Sequence, residues 1–146
     1  MTLLRTLILG LGVAAIAWAW AVPAFTADKS SSGNKVYELR IYTTNPGKME
    51  DLHKRFRDHT NRLFKKHGME IVGYWTPQDD KQGKSDKLIY LLAFPSREAA
   101  EASWKAFRDD PEWKRVYAES HKNGVLVKQG GVESIFLDPT DYSPLK

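Results

Sequence analysis

The sequence has no cysteine. That excludes a disulfide framework, a thiolate metal site, an iron–sulfur cluster, a cysteine nucleophile and a lipidated N-terminal cysteine. It also has no Walker loop, G-x-S-x-G, H-E-x-x-H, dinucleotide fingerprint or paired-carboxylate motif, so no motif names a reaction. Histidine is scarce, with four in 146 residues. Three of these, His53, His59 and His67, fall on one predicted helix at spacings of six and eight, not the i, i+4 spacing of a helical metal pair. No repeat of solenoid period is present. What the chain does have is 5 Trp, 6 Tyr and 6 Phe, a 42% apolar fraction and a net charge of +4. This is the composition of one globular domain rather than a disordered segment.

Only one long apolar run occurs. Met1 to Ala27 carries a single charge, Arg5, and Leu7 to Val22 is nearly pure Leu, Ile, Val, Ala and Trp. A basic start, an apolar middle and small residues around Pro23-Ala24 match a secretory signal peptide over residues 1–27, with an uncleaved membrane anchor as the alternative. Export, periplasmic or secreted, is therefore the expectation, and contact with a membrane only if the leader stays. Residues 28–34 (DKSSSGN) read as a flexible linker. Cleavage after Ala24 removes 24 of the 146 residues and leaves a domain over 35–146, with a proline-containing tail at 138–146.

The domain reads as strand, helix, strand, strand, helix, strand. Val36 to Thr43 alternates, with Tyr37, Leu39 and Ile41 on one face and Glu38, Arg40 and Tyr42 on the other. Asn45 and Pro46 suit an N-cap and a first helical residue, and a helix runs to His67 with Met49, Leu52, Phe56, Thr60, Leu63 and Phe64 as its apolar stripe. Met69 to Thr76 and Leu88 to Phe94 are strands, the first with Ile71 and Trp75 on one face and Val72 and Tyr74 on the other. Ser96 caps a helix that breaks and restarts at Asp110-Pro111, and a final strand covers Val132 to Leu137. This order is the ferredoxin-like βαββαβ plan, an α+β fold with a four-stranded antiparallel sheet and helices on one face. Both sheet faces read as apolar, so the uncovered face calls for a second copy and a homodimer, or else for the linker or tail to fold over it.

These residues resemble the NIPSNAP family of the dimeric α+β barrel superfamily. The likeness lies in VYELRIYTTNPGKMEDL (Val36 to Leu52), GYWT (Gly73 to Thr76) and LIYLLAFPSREAAEASWKAFRDDPEW (Leu88 to Trp113). It implies the dimeric barrel and no agreed activity. Neighbouring superfamily members include cofactor-free monooxygenases and haem-degrading monooxygenases, so a ligand cavity is implied as well.

The candidate ligand-binding residues are Glu38, Arg40, Tyr42, Trp75, Tyr90, Trp104, Trp113, Tyr117 and His121. Glu38, Arg40 and Tyr42 share a strand face. They form an anion-holding pocket in the dimer interior, a structural ion-pair network at its interface, or simply a solvated face. Trp104, Trp113 and Tyr117 read as core packing or as the wall of a cleft. No metal site and no cofactor is expected. Haem on His121, near the end of the second helical region, is the alternative that the resemblance raises, against a histidine placed there by the helix dipole.

The first helix carries seven Lys/Arg and three Asp/Glu between Lys48 and His67. Glu50–Lys54, Asp51–Arg55 and Asp58–Arg62 stand in the favourable i, i+4 order, which reads as an exposed, salt-bridged helix back. No basic-aromatic interleaving points to nucleic acid. The reading is an exported dimeric domain that binds a small apolar or anionic molecule or serves as an interaction module, with a cofactor-independent or haem-dependent monooxygenase as the alternative.

Overall fold

The computed structural model describes residues 35–146, so the leader and the linker assigned to 1–27 and 28–34 lie outside the described residues. The elements are β1 (Val36–Thr44), α1 (Met49–Arg55), a π turn (Phe56–Thr60), α2 (Asn61–Lys66), β2 (Glu70–Trp75), β3 (Lys87–Phe94), α3 (Arg97–Asp109), α4 (Pro111–Ser120) and β4 (Val127–Leu137). The strands form one antiparallel sheet in the order β2-β3-β1-β4, the ferredoxin-like arrangement. Among the described residues no helix is long and apolar enough to cross a membrane.

One face of the sheet carries the helices. Leu88, Tyr90, Leu92 and Phe94 of β3 are buried against Leu52, Phe56, Leu63 and Phe64 of the first helical region and Ala100, Trp104 and Phe107 of α3. The core is largely aromatic. Phe64 sits 5.0 to 6.0 Å, centroid to centroid, from Phe56, Tyr90, Trp104 and Phe107. Edge-on rings at such distances add to the free energy of burial. The packed stripe of α3 is Ala100, Trp104 and Phe107, while Ala102 and Ala106 face solvent.

Local chemistry sets the helix ends. The Ser96 side chain accepts from the Ala99 N–H at 3.2 Å, and the Asp110 carboxylate accepts from the Glu112 N–H at 2.7 Å with Pro111 in the first turn of α4. Asn45 does not cap α1. Its carbonyl accepts from Lys48 across a tight turn in which Gly47 has φ of +73°, and its amide donates to the Val125 carbonyl at 2.8 Å. The turn delays the helix to Met49, because a left-handed residue cannot lie inside it.

Two irregularities change which side chains share a face. In β2 the pairing register shifts between Ile71 and Gly73, so Ile71 lies opposite Leu92, Tyr74 opposite Tyr90 and Trp75 opposite Ile89. This bulge reverses the simple alternation. Ile71 and Tyr74 both face the helices, and Trp75 faces away, its indole lying across Gly73, where a Cβ would come within 2.7 Å of the ring. In the first helical region the π turn passes the Asn61 N–H to the Phe56 carbonyl, and the Thr60 hydroxyl donates to the Arg55 carbonyl at 3.2 Å. The salt bridges also differ from the expected ones. Lys54 pairs with Asp58, Arg57 with Glu50 and Arg62 with Glu112, and none of the three expected i, i+4 pairs is the one formed.

On the face away from the helices, Trp75, Ile135 and Leu137 are exposed, and Leu39, Ile41, Ile89 and Leu91 are half-buried. The tail reaches this face at one corner, where the Tyr37 hydroxyl donates to the Lys146 carbonyl at 3.1 Å. Most of the apolar surface is left open.

Candidate functional site

Strand alternation puts Glu38, Arg40 and Tyr42 on one face of β1, and the sheet register then assembles the rest. Tyr90 of β3 and Ser134 of β4 both lie directly opposite Arg40. α3 crosses above and lowers Trp104 onto the cluster. The Glu38 carboxylate, 1% exposed, accepts from the Trp104 indole N–H, from Arg40 Nη1 at 2.6 Å and from the Ser134 hydroxyl at 2.6 Å. Three donors on one buried carboxylate satisfy what burial would otherwise penalise. The Arg40 guanidinium then lies over the indole of Trp104, 4.3 Å from its centroid, and 5.5 Å from the ring of Tyr42.

These groups form the floor of an open cleft of about 660 Å³ between α3 and the β1–β4 edge. Arg97, Lys105 and Arg108 stand around it with Glu101, so its walls are predominantly basic. Arg97 also stacks on Phe136, 3.4 Å from the ring centroid. Such a cleft attracts anions, and a guanidinium held flat against an indole offers a fixed partner for one.

The cluster corrects one expectation. Glu38, Arg40 and Tyr42 lie beneath the helices, not on the open face where a second copy would sit. Alternation shows which residues share a face, and the more apolar set, Tyr37, Leu39 and Ile41, is the one left on the open side.

Behind the cleft is a tyrosine group. Tyr42 and Tyr90 meet edge-on at 5.3 Å, and Tyr74 lies 5.7 Å from Tyr90. Burial, and then the neighbouring Tyr42 phenol, pushes the Tyr74 and Tyr90 phenols up, so both are neutral donors at neutral pH. Neither hydroxyl makes a well-formed hydrogen bond to another protein group. A pocket of about 290 Å³ at the β2 edge is lined by Tyr74, Trp75, Phe56 and Asn61, whose buried Oδ1 is also unpaired.

The remaining candidates gather elsewhere. Trp113, Tyr117 and His121 run in sequence along α4, with the Tyr117 and His121 rings 4.0 Å apart. His121 Nδ1 lies 2.6 Å from the Tyr117 carbonyl, and the ring lines neither of these two cavities. Among the described residues no cluster of three or more metal-ligating side chains occurs.

Several participants were not anticipated, among them the basic rim of Arg97, Lys105 and Arg108. Ser134 and Tyr74 follow from sheet register, which pairing alone reveals. Arg55 was expected to pair with Asp51 on the helix back. Instead it is buried at 5% exposure and turned inward to Trp113 and Tyr117.

The family model described as NIPSNAP matches residues 37–144. A NIPSNAP family protein of unknown function from Agrobacterium tumefaciens is 22% identical, with a TM-score of 0.66 over 80% of this chain and 97% of its own. An uncharacterized NIPSNAP-like domain protein from Burkholderia xenovorans is 18% identical, with a TM-score of 0.64 over 77% of this chain and 92% of its own. A cofactor-independent oxygenase from Streptomyces nogalater shares the fold at 12% identity, with a TM-score of 0.50 over 77% of this chain and 99% of its own. No curated protein matches.

Proposed function

The chain belongs to the NIPSNAP family, and on that premise we propose that it is an exported, homodimeric binding domain that holds a small anionic molecule with a flat apolar body in the α3 cleft. The observation that carries this reading is the Arg40 guanidinium, fixed by Glu38 and laid on Trp104 at the floor of a basic cleft. Arg40 supplies the charge, Trp104 the flat surface, and Arg97, Lys105 and Arg108 the attraction from a distance. Glu38 is a positioning residue: it neutralises Arg40 on one side and leaves the other side to the ligand.

Protein purified from its native source and analysed by mass spectrometry tests this. A co-purifying anion that is lost from Arg40→Met but kept in an exposed-face control such as Ala102→Ser supports the reading. An empty protein that binds no member of a panel of organic anions overturns it. N-terminal sequencing of the same preparation tests export, for which a start at or near Phe25 is expected.

One observation favours a second reading, cofactor-free oxygenation. Two buried tyrosine hydroxyls without protein partners lie on the helix-covered face, that of Tyr90 on the residue opposite Arg40 and that of Tyr74 on the next strand, and a cofactor-independent oxygenase shares the fold. Oxygen uptake over a panel of phenols and quinols tests it. Uptake that is absent, or unchanged in Arg40→Met, removes it.

A further inference from the structure

Arg55 closes α1 and is only 5% exposed. No carboxylate pairs with it among the described residues. Its Nη1 donates to the Ser120 hydroxyl at a long 3.3 Å, and its Nε is buried without a partner. Its charge rests on two aromatic rings, Trp113 at 5.2 Å and Tyr117 at 5.8 Å. Burial pulls the guanidinium below its ordinary value, and at neutral pH an arginine stays charged. A buried charge with no countercharge is strongly disfavoured, so a chain that keeps one has a use for it.

The surroundings supply the use. Arg55 lines a groove of about 300 Å³ between α1 and α4, within the range of small-molecule sites. Three acids also line it, and each already has a lysine: Asp51 with Lys48, Asp58 with Lys54 and Glu119 with Lys122. Arg115 lines it too and, like Arg55, pairs with no carboxylate among the described residues. The groove therefore holds two uncommitted guanidinium groups. The π turn begins at the residue after Arg55, and such turns recur at functional sites because they re-aim the side chains around them.

We propose that the groove between α1 and α4 is a second ligand site, which takes the carboxylate of a small monocarboxylic acid with Arg55 as its charged anchor. The carboxylate completes the fork of Arg55 and reaches Arg115 across the groove. The three lining acids disfavour a dianion such as phosphate. The site lies outside the helix layer and shares no residue with the Arg40 cleft.

Calorimetric titration of the full chain with benzoate, inorganic phosphate and benzyl alcohol tests this. Saturable binding of benzoate is expected, with phosphate and benzyl alcohol each weaker by roughly tenfold or more, the worth of a charge-assisted hydrogen bond. Arg55→Met, which keeps the side-chain length without the charge, is expected to fold and to lose benzoate by a similar factor. Ala102→Ser, on the solvent face of α3 and outside both clefts, is expected to bind benzoate as the parent does. If Arg55→Met does not fold, Arg115→Gln and Ser120→Ala replace it, each with a several-fold loss expected. No saturable benzoate binding, equal binding of phosphate or benzyl alcohol, or a loss in Arg40→Met with none in the groove variants overturns the proposal.

Discussion

The Trp104 indole donates its only hydrogen bond to the Glu38 carboxylate, and the same indole carries the Arg40 guanidinium on its face at 4.3 Å. One side chain thus orients both members of a buried ion pair. Removing the carboxylate strands three donors at once: Arg40, Trp104 and Ser134. Glu38→Ala is expected to cost about 3–5 kcal/mol, the range for breaking a buried pair from one side. Trp104→Phe keeps a ring under Arg40 but removes the N–H together with part of the indole's buried volume, so about 1–3 kcal/mol is expected. Urea denaturation at pH 7 measures both, and equal losses would mean that the indole acts by volume alone.

Asp110 joins two jobs. It caps α4 through the Glu112 N–H, and it holds the end of the first helical region through Lys66 and His67, each at 2.7 Å. Those hydrogen bonds from Lys66 and His67 hold its carboxyl well below the usual carboxylate range. A depressed folded value means that the contribution is fully present above the ordinary carboxylate pKa and is lost as the pH falls through the depressed one. Asp110→Asn keeps a capping side chain and removes the charge. Its Tm is expected to be lower than the parent's at pH 7, by on the order of 5 °C. The gap should close as the pH falls below about 4, the unfolded value. A gap that stays constant down to pH 2 would make the defect one of packing.

Tyr74 and Tyr90 govern the alkaline limb. Their phenols are raised by burial, so in the folded chain they keep protons that the unfolded chain releases near pH 10. Stability is complete below that value and falls as the pH rises through it, by up to about 1.4 kcal/mol per pH unit for each tyrosine. Tyr90→Phe is expected to be neutral or slightly stabilising at pH 7, because the lost hydroxyl had no well-formed partner. Thermal melts between pH 8 and 11 should show a shallower decline for Tyr74→Phe/Tyr90→Phe than for the parent. Parallel declines would place the alkaline loss elsewhere.

What could be read in the sequence was local or periodic. Ser96 and Asp110-Pro111 announce their helices because a cap is decided by the cap residue and its next few neighbours. The alternation of β1 grouped Glu38, Arg40 and Tyr42 correctly. Which side the helices cover is a tertiary fact, and there the apolar look of Tyr37, Leu39 and Ile41 misled. Trp75 landed on the wrong face because one bulged residue reverses every position after it, and Gly73 alone is a weak mark of a bulge. The π turn left no sequence mark at all. Arg55 was expected in a surface pair with Asp51 and is instead buried, so the most unusual charge in the fold was the one the sequence hid best.

The open face of the sheet carries the last prediction. Trp75, Ile135 and Leu137 are exposed there beside half-buried Leu39, Ile41, Ile89 and Leu91, and the tail covers only the corner at Tyr37. An apolar area of this extent on an antiparallel sheet marks an interaction surface. A second copy is its simplest cover, because a two-fold axis lets one surface bury itself. Light scattering coupled to size exclusion is expected to give a dimer at micromolar concentration. Ile135→Glu separates the dimer from the fold. On the isolated domain the new charge is half in water and costs little, whereas in a two-fold interface it enters twice and meets apolar side chains each time. A dimer weakened by roughly a hundredfold or more, with unchanged far-UV circular dichroism, is expected. Ala106→Glu, on the solvent side of α3, should leave the dimer intact. A parent protein that elutes as a monomer, or an Ile135→Glu variant that dimerises as tightly as the parent, would leave the open face without a partner of its own kind.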